Sequence, residues 1–161
     1  MRRFFAFLAV AAMVAVPAGA FAAATDTDGT LVVTNGDGSI TMNLRGALIG
    51  TLDSGKVTLT DPAETNTGDL VLKGCDPQKV GDNKITCSGT DLRFRVIQGR
   101  FRVKIVGSGI NLSVVGNGSG FTNPVSIQGD DSSGDAMGTY KWNDDSAKKI
   151  TTKVINLPLG G

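Results

Sequence analysis

Apolar and polar residues alternate in short runs along most of the chain, and small turn-forming residues separate these runs. The clearest run lies between residues 92 and 105, where phenylalanine, valine and isoleucine alternate with arginine and lysine. A period of two places alternate side chains on opposite faces of a β-strand. Beyond the first 22 residues, no stretch carries apolar residues at helical spacing over three turns. The pattern therefore predicts an all-β fold.

Glycine-containing turn signals between the runs predict hairpins. We expect Asn35-Gly36-Asp37-Gly38 to join strands 30–34 and 39–44, Asp53-Ser54-Gly55 to join 47–52 and 56–60, and Gln98-Gly99 to join 92–97 and 100–106. The last strands are expected at 125–128, 138–143 and 150–157.

About eleven short strands of this kind are typical of an antiparallel β-sandwich or barrel. Parallel pairing is disfavoured because it would need helical crossovers that this sequence lacks. A short β-solenoid is the alternative, since the glycine-rich stretches 107–109 and 116–120 resemble the corners of stacked coils. No repeat period is sustained along the chain, so the sandwich or barrel remains the preferred prediction.

The start of the chain has the layout of a secretory signal. Two arginines follow the initiating methionine, and an apolar run then extends from Phe4 to Val16. Small residues at Ala20 and Ala22 mark a cleavage site after Ala22, with cleavage after Ala24 as the alternative. The apolar run is too short to span a bilayer comfortably.

The predicted organisation is thus a signal peptide at residues 1–22, followed by a single all-β domain at residues 23–161. A chain with this signal is exported, and we expect it in the periplasm, at the cell surface or in the medium.

The chain has two cysteines, Cys75 and Cys87. In an oxidising compartment, an even number of cysteines at short spacing predicts a disulfide. A metal site or a redox pair is disfavoured, because the chain has no histidine and the spacing is far from Cys-x-x-Cys. We expect the bridge to join strand 69–73 to strand 84–88 and to contribute about 3 kcal/mol to stability.

The overall charge is close to balanced. The whole chain carries 16 Lys and Arg against 15 Asp and Glu, and loss of Arg2 and Arg3 with the signal leaves 14 against 15. This balance excludes binding that is driven by net charge. Any electrostatic function must therefore come from a local cluster.

Such a cluster lies in the predicted hairpin 92–106. With Gln98-Gly99 as a two-residue turn, Phe94 would face Val103 and Val96 would face Phe101 on the core side. Five cations would then share the other side, with Arg95 opposite Arg102 and Arg93 opposite Lys104: Arg93, Arg95, Arg100, Arg102 and Lys104.

Two interpretations of these cations compete. In the first, they form a solvated face and pair with acids of a neighbouring strand, for which Asp53, Asp61, Asp69 and Asp91 are the candidates. In the second, they bind an anion, such as an envelope polyphosphate, an acidic polysaccharide or a lipid headgroup. Arginine outnumbers lysine four to one, which suits bidentate contacts to phosphate or carboxylate. Nucleic acid is disfavoured, because no exposed aromatic residues interleave with the cations to stack on bases.

Candidate chemistry elsewhere is sparse. The absence of histidine excludes Ser-His-Asp and Cys-His catalysis and histidine-ligated zinc. The aspartates cluster in turns, and none of these turns completes a calcium-binding loop. Tyr140 and Trp142 could stack on a sugar, but we prefer to place them in the core. The sequence therefore predicts no cofactor, no metal site and no catalytic residue.

The leading hypothesis is an exported, non-catalytic binding or structural module of the cell envelope. It would contact an anionic polymer, or another envelope protein, through the basic hairpin. The alternatives are a secreted hydrolase that uses aspartate carboxylates and a self-assembling surface or fimbria-like subunit that adds strands edge to edge.

Overall fold

The computed structural model describes residues 28–60, 70–117, 125–131 and 137–159, so the predicted signal peptide lies outside the described residues. Within them the fold is all-β, with antiparallel pairing and no helix, as the sequence predicts, and the sheet does not close into a barrel. The strands are β1 (Asp28–Thr60), β2 (Leu70–Lys73), β3 (Gln78–Lys79), β4 (Lys84–Asn117), β5 (Val125–Gly129), β6 (Thr139–Trp142), β7 (Lys148–Lys149) and β8 (Ile155–Leu157).

Two long strands dominate the structure, in place of the many short ones expected. β1 has 33 residues and β4 has 34, and the two pair antiparallel along their length. Asp28 pairs with Asn117 at one end of this ribbon, and Thr60 pairs with Lys84 at the other. The predicted hairpins at 35–38, 53–55 and 98–99 are therefore wrong. These turn residues lie at bends within continuous strands.

The ribbon winds back on itself. Leu112 of β4 pairs with Val33 on one side and with Gly50 on the other, although these two residues of β1 are 17 positions apart. Residues that flank one strand are about 10 Å apart, whereas 17 extended residues span about 56 Å. β1 must therefore turn back and return on the other side of β4. In the same way, β4 turns back and returns on the other side of β1.

This winding produces two layers that are connected at the bends. We call "first layer" the segments 28–34, 46–52, 92–97 and 109–117, with β2 and β6 at its two sides. We call "second layer" the segments 38–45, 54–60, 84–90 and 100–107, with β3 and β5 at its two sides. The molecule thus combines the two layers of a sandwich with the glycine-cornered winding that the solenoid alternative anticipates.

Glycine permits the tight bends. Gly55 has a φ of 144°, and a Cβ at this position would collide with the carbonyl oxygen of Val106 on the next strand. A side chain at Gly46 would collide with the carbonyl oxygen of Val115 in the same way. The absence of side chains therefore lets neighbouring bends pack backbone against backbone.

Several bends also reverse the alternation of side chains. Inward-pointing residues lie two apart within a segment but five apart across these bends, whereas Leu44 and Leu48 lie four apart across the bend at Gly46. The inward pairs across three bends are Leu52 with Val57, Val96 with Phe101, and Ile105 with Ile110.

The inner sides of the two layers share one apolar core. Tyr140 is buried at the edge of the first layer, and Trp142 is half-buried and packs against the same core, as the preferred interpretation of this pair expects. The largest fully buried side chains are Leu31, Val33, Ile40, Met42, Leu44, Leu48, Leu52, Leu59, Leu92, Ile105, Ile110 and Ile127.

The predicted disulfide between Cys75 and Cys87 is confirmed, with 5.7 Å between the two Cα atoms. It does not join two paired strands, because β2 pairs with Arg93–Val96 of the first layer and Cys87 lies in the second. The bridge therefore ties the connection after β2 to the second layer. At the end of the chain, residues 150–154 are irregular, so only Ile155–Leu157 of the predicted last strand forms β8.

Candidate functional site

The cations of segment 92–105 point outward, as the alternation predicts. Arg93, Arg95, Arg102 and Lys104 are exposed. The residues between them are buried: Phe94, Val96, Phe101 and Val103.

The pairing predicted for these cations is wrong. Phe94 pairs with Gly50 and Leu72, and it does not face Val103. Segment 46–52 and segment 54–60 of β1 lie beside the two halves of β4, so residues 92–97 and 100–105 are not neighbours. The like-charge pairs Arg95–Arg102 and Arg93–Lys104 therefore do not form.

The bend at residues 98 and 99 divides the five cations between the two layers. Arg93 and Arg95 lie on the outer side of the first layer, beside Lys73 and Val71 of β2. The remaining three lie on the outer side of the second layer: Arg100, Arg102 and Lys104.

The second layer brings three further cations to the same side. Arg45 pairs directly with Arg100, and Thr60 stands between Arg102 and Lys84. Lys56 pairs with Val106, two residues beyond Lys104. We call the resulting surface the basic face: Arg45, Lys56, Lys84, Arg100, Arg102 and Lys104.

Spacing on the basic face follows from strand geometry. Arg100, Arg102 and Lys104 repeat every two residues, or about 7 Å, along one strand. Arg102 and Lys84 are two strands apart, or about 10 Å. At such separations each like-charge pair costs roughly 0.5 kcal/mol in water, so the fold can tolerate the cluster.

The paired neighbours of Arg102 and Lys104 are neutral in the described part of the chain. Segments 38–45, 54–60, 84–90 and 100–107 contain the six cations and no aspartate or glutamate. Arg102 Nε donates a hydrogen bond to Asn43 Oδ1 at 2.7 Å, and Lys104 lies between Thr41 and Thr58. Neither Arg102 nor Lys104 forms an ion pair with a carboxylate of the described residues.

The acids suggested as partners lie elsewhere. Asp53 and Asp91 stand at bends between the layers, while Asp61 and Asp69 lie outside the described residues. An ion pair is seen beyond this surface, between Lys148 Nζ and Asp145 Oδ2 at 2.9 Å. The hydrogen bond from Lys148 to Asp145, with their charge attraction, raises the pKa of Lys148 above its ordinary value.

A groove of about 920 Å³ opens at one end of the basic face. Its outer wall is a row of residues at neighbouring positions on four paired segments of three strands, β1, β4 and β5: Ser39, Lys56, Val106 and Gln128. The bends at 37–38, 54–55 and 107–108 contribute the rest, together with Gly129 and Asp130. The sequence alone did not indicate this groove, since it joins strands that are distant in the chain.

The described residues place no three or more cysteine or acidic side chains where they could hold a metal ion. Asp37, from one of the acidic turns, has a structural contact instead, because its Oδ1 accepts a hydrogen bond from the backbone N–H of Gly109 at 3.1 Å. In the described part of the chain, no helix is long and apolar enough to cross a membrane.

The surface just described is open, cationic and rich in hydroxyl and amide groups. Such a surface can bind an extended anion, and the groove at its end adds the carboxylates of Asp37 and Asp130. No protein family matches the sequence, and no curated protein or solved structure is detectably similar to it.

Proposed function

We propose that this protein is an exported, non-catalytic binding module that holds an anionic polymer on its basic face. One observation carries the proposal: four adjacent segments of the second layer contain six cations and no acid. A surface whose cations served only to solubilise the protein would carry both signs of charge, because interspersed acids reduce the repulsion between cations.

The geometry suits a polymer better than a single small anion. The cations lie on a broad outer surface, with Arg100, Arg102 and Lys104 in line along one strand, so an extended chain could contact several of them at once. Each exposed contact is weak, but several contacts to one chain add through effective concentration. Arginine contributes paired donors that match carboxylate, sulfate or phosphate oxygens.

Nucleic acid fits this surface poorly. Phe94, Phe101 and Tyr140 are buried, and Trp142 is half-buried at the edge of the first layer. None of these rings stands among the cations of the basic face, so they offer no platform on which bases could stack. An envelope polymer, encountered after the export that the signal sequence predicts, is the partner that we favour.

The alternatives receive less support. A hydrolase would need two facing carboxylates in a cleft, and of the two that line the groove, Asp37 and Asp130, the first already accepts a hydrogen bond from the backbone N–H of Gly109. Edge-to-edge assembly would need long free edges, whereas β2, β3, β7 and β8 have between two and four residues.

A matched pair of variants tests the proposal. Arg102→Gln with Lys104→Gln removes two charges from the basic face, and Arg93→Gln with Arg95→Gln removes two charges from the first layer. We expect the first variant to elute from immobilised dextran sulfate at clearly lower salt than the wild type, and the second to elute near the wild type. Equal elution of both variants would contradict the assignment to the basic face. Thermal denaturation checks that both are folded.

A further inference from the structure

The groove continues the basic face along the strands. Val106 lies two residues beyond Lys104 on the same strand, and its side chain is 41% exposed. Ser39 and Lys56 are its partners on the two neighbouring strands, and Gln128 pairs with Ser39. A polymer that follows this strand past Arg102 and Lys104 would enter the groove after about 14 Å.

The chemistry of the groove differs from that of the basic face. Two carboxylates, those of Asp37 and Asp130, line the groove, whereas the described segments of the basic face contain none. Ser54 Oγ and Ser108 Oγ share a hydrogen bond at 2.9 Å, and Gln128 Nε2 donates to the carbonyl oxygen of Thr152 at 2.9 Å. These contacts hold several polar groups in place around the exposed methyl groups of Val106.

This combination matches a sugar ring. Sugar hydroxyls both donate and accept hydrogen bonds, so they can donate to carboxylates and accept from serine or amide groups. The C–H side of the ring is apolar and can lie on an aliphatic side chain such as Val106. A phosphate or sulfate group would be repelled by the carboxylate of Asp37, and would remain beside Arg102 and Lys104.

We infer that the groove is a subsite for a neutral, hydroxyl-bearing sugar unit of an acidic polysaccharide whose acidic groups contact the basic face. The inference rests on the proposed function and makes it narrower: the polymer is a polysaccharide, and a polyphosphate that lacks sugar hydroxyls would use the cations alone.

The test fills the groove without changing its charge. Ser39 is half-buried on the outer side of the second layer, so Ser39→Tyr places a ring in the groove. Ser113→Tyr makes the same change on the outer side of the first layer and serves as the matched control. Titration calorimetry measures binding of hyaluronan, an acidic polysaccharide in which a neutral sugar alternates with an acidic one, and of linear polyphosphate at the same low salt.

We expect Ser39→Tyr to weaken hyaluronan binding by at least about fivefold, the effect of losing one or two hydrogen bonds, and to leave polyphosphate binding within about twofold. Ser113→Tyr should change neither. Gln128→Ala, at an exposed side chain, is a second groove variant in case Ser39→Tyr does not fold, and we expect it to weaken hyaluronan binding selectively.

Two results would overturn the inference while leaving the proposed function intact. In one, the groove variants bind hyaluronan like the wild type. In the other, they lose binding of hyaluronan and of polyphosphate equally. Both results leave the proposed function standing if Arg102→Gln with Lys104→Gln still weakens binding of both polymers. If the wild type binds neither polymer, the proposed function itself fails.

Discussion

The ring of Phe94 covers Gly50, its partner on the neighbouring strand of the first layer, and fills the space that a Cβ on Gly50 would need. Phe94 is only 3% exposed, so the ring has little freedom to move away. The backbone carbonyl oxygen of Asn111 approaches the same position from the other side, to 2.8 Å. A glycine in the middle of a strand, usually a weakness, is here a condition for packing the aromatic ring.

Gly50→Ala should therefore lower the free energy of unfolding by about 1–3 kcal/mol, because the added methyl group overpacks the core. Combination with Phe94→Leu should recover part of this loss, with a coupling of more than about 0.5 kcal/mol in a double-mutant cycle measured by urea denaturation. The recovery is partial because the Asn111 carbonyl remains. Phe101→Leu, in the second layer, is the control whose effect should simply add to that of Gly50→Ala.

The bend at Gly55 offers a second test of the winding. Gly55→Ala would force an L-residue to a φ of 144° and bring its Cβ against the Val106 carbonyl oxygen. Gly81 also has a positive φ, of 69°, but a Cβ there would meet nothing within 4 Å. We expect chemical denaturation to show a loss of about 1 kcal/mol for Gly81→Ala and of more than about 2 kcal/mol for Gly55→Ala. Similar losses would mean that the bends do not pack backbone against backbone.

Removal of the disulfide should destabilise the protein mainly through the unfolded chain. The bridge closes a loop with a sequence separation of 12, for which the chain-entropy model predicts about 3 kcal/mol. Cys75→Ala with Cys87→Ala and the reduced wild type should both lose about this amount in urea denaturation. If the double variant loses more stability than the reduced protein, the difference measures what the packing of Cys87, which is 1% exposed, contributes to the free energy of unfolding. An unchanged transition after complete reduction would contradict the prediction.

The hairpin predicted at Gln98-Gly99 does not form, although the exposure of the side chains on either side of it was predicted correctly. Both outcomes have one geometric reason. A two-residue hairpin turn and a one-residue bulge at a bend both place Val96 and Phe101 on the inner side. The alternation of apolar and charged residues is therefore the same in the two arrangements. It determined that Arg95 and Arg102 point outward, and it could not show that they lie on different layers.

The candidate site, too, could be predicted from the sequence only in part. Arg100, Arg102 and Lys104 are close in sequence, so their shared orientation follows from the period of a strand. Arg45 and Lys84 join them only because β1 returns beside β4 in a specific register. The groove depends on the same register, since it joins residues from four segments of β1, β4 and β5: Ser39, Lys56, Val106 and Gln128.

The sequence by itself determined the all-β class, the disulfide and the outward direction of the cations in segment 92–105, because these depend on local periodicity, turn residues and the number of cysteines. Only the tertiary structure decided that glycines such as Gly55 lie at bends within long strands, where the sequence predicts turns between short strands. It also decided which cations share a face. The physical reason is that strand pairing is a long-range choice: it is set by how the whole ribbon buries its apolar side, and no local stretch of residues contains that information.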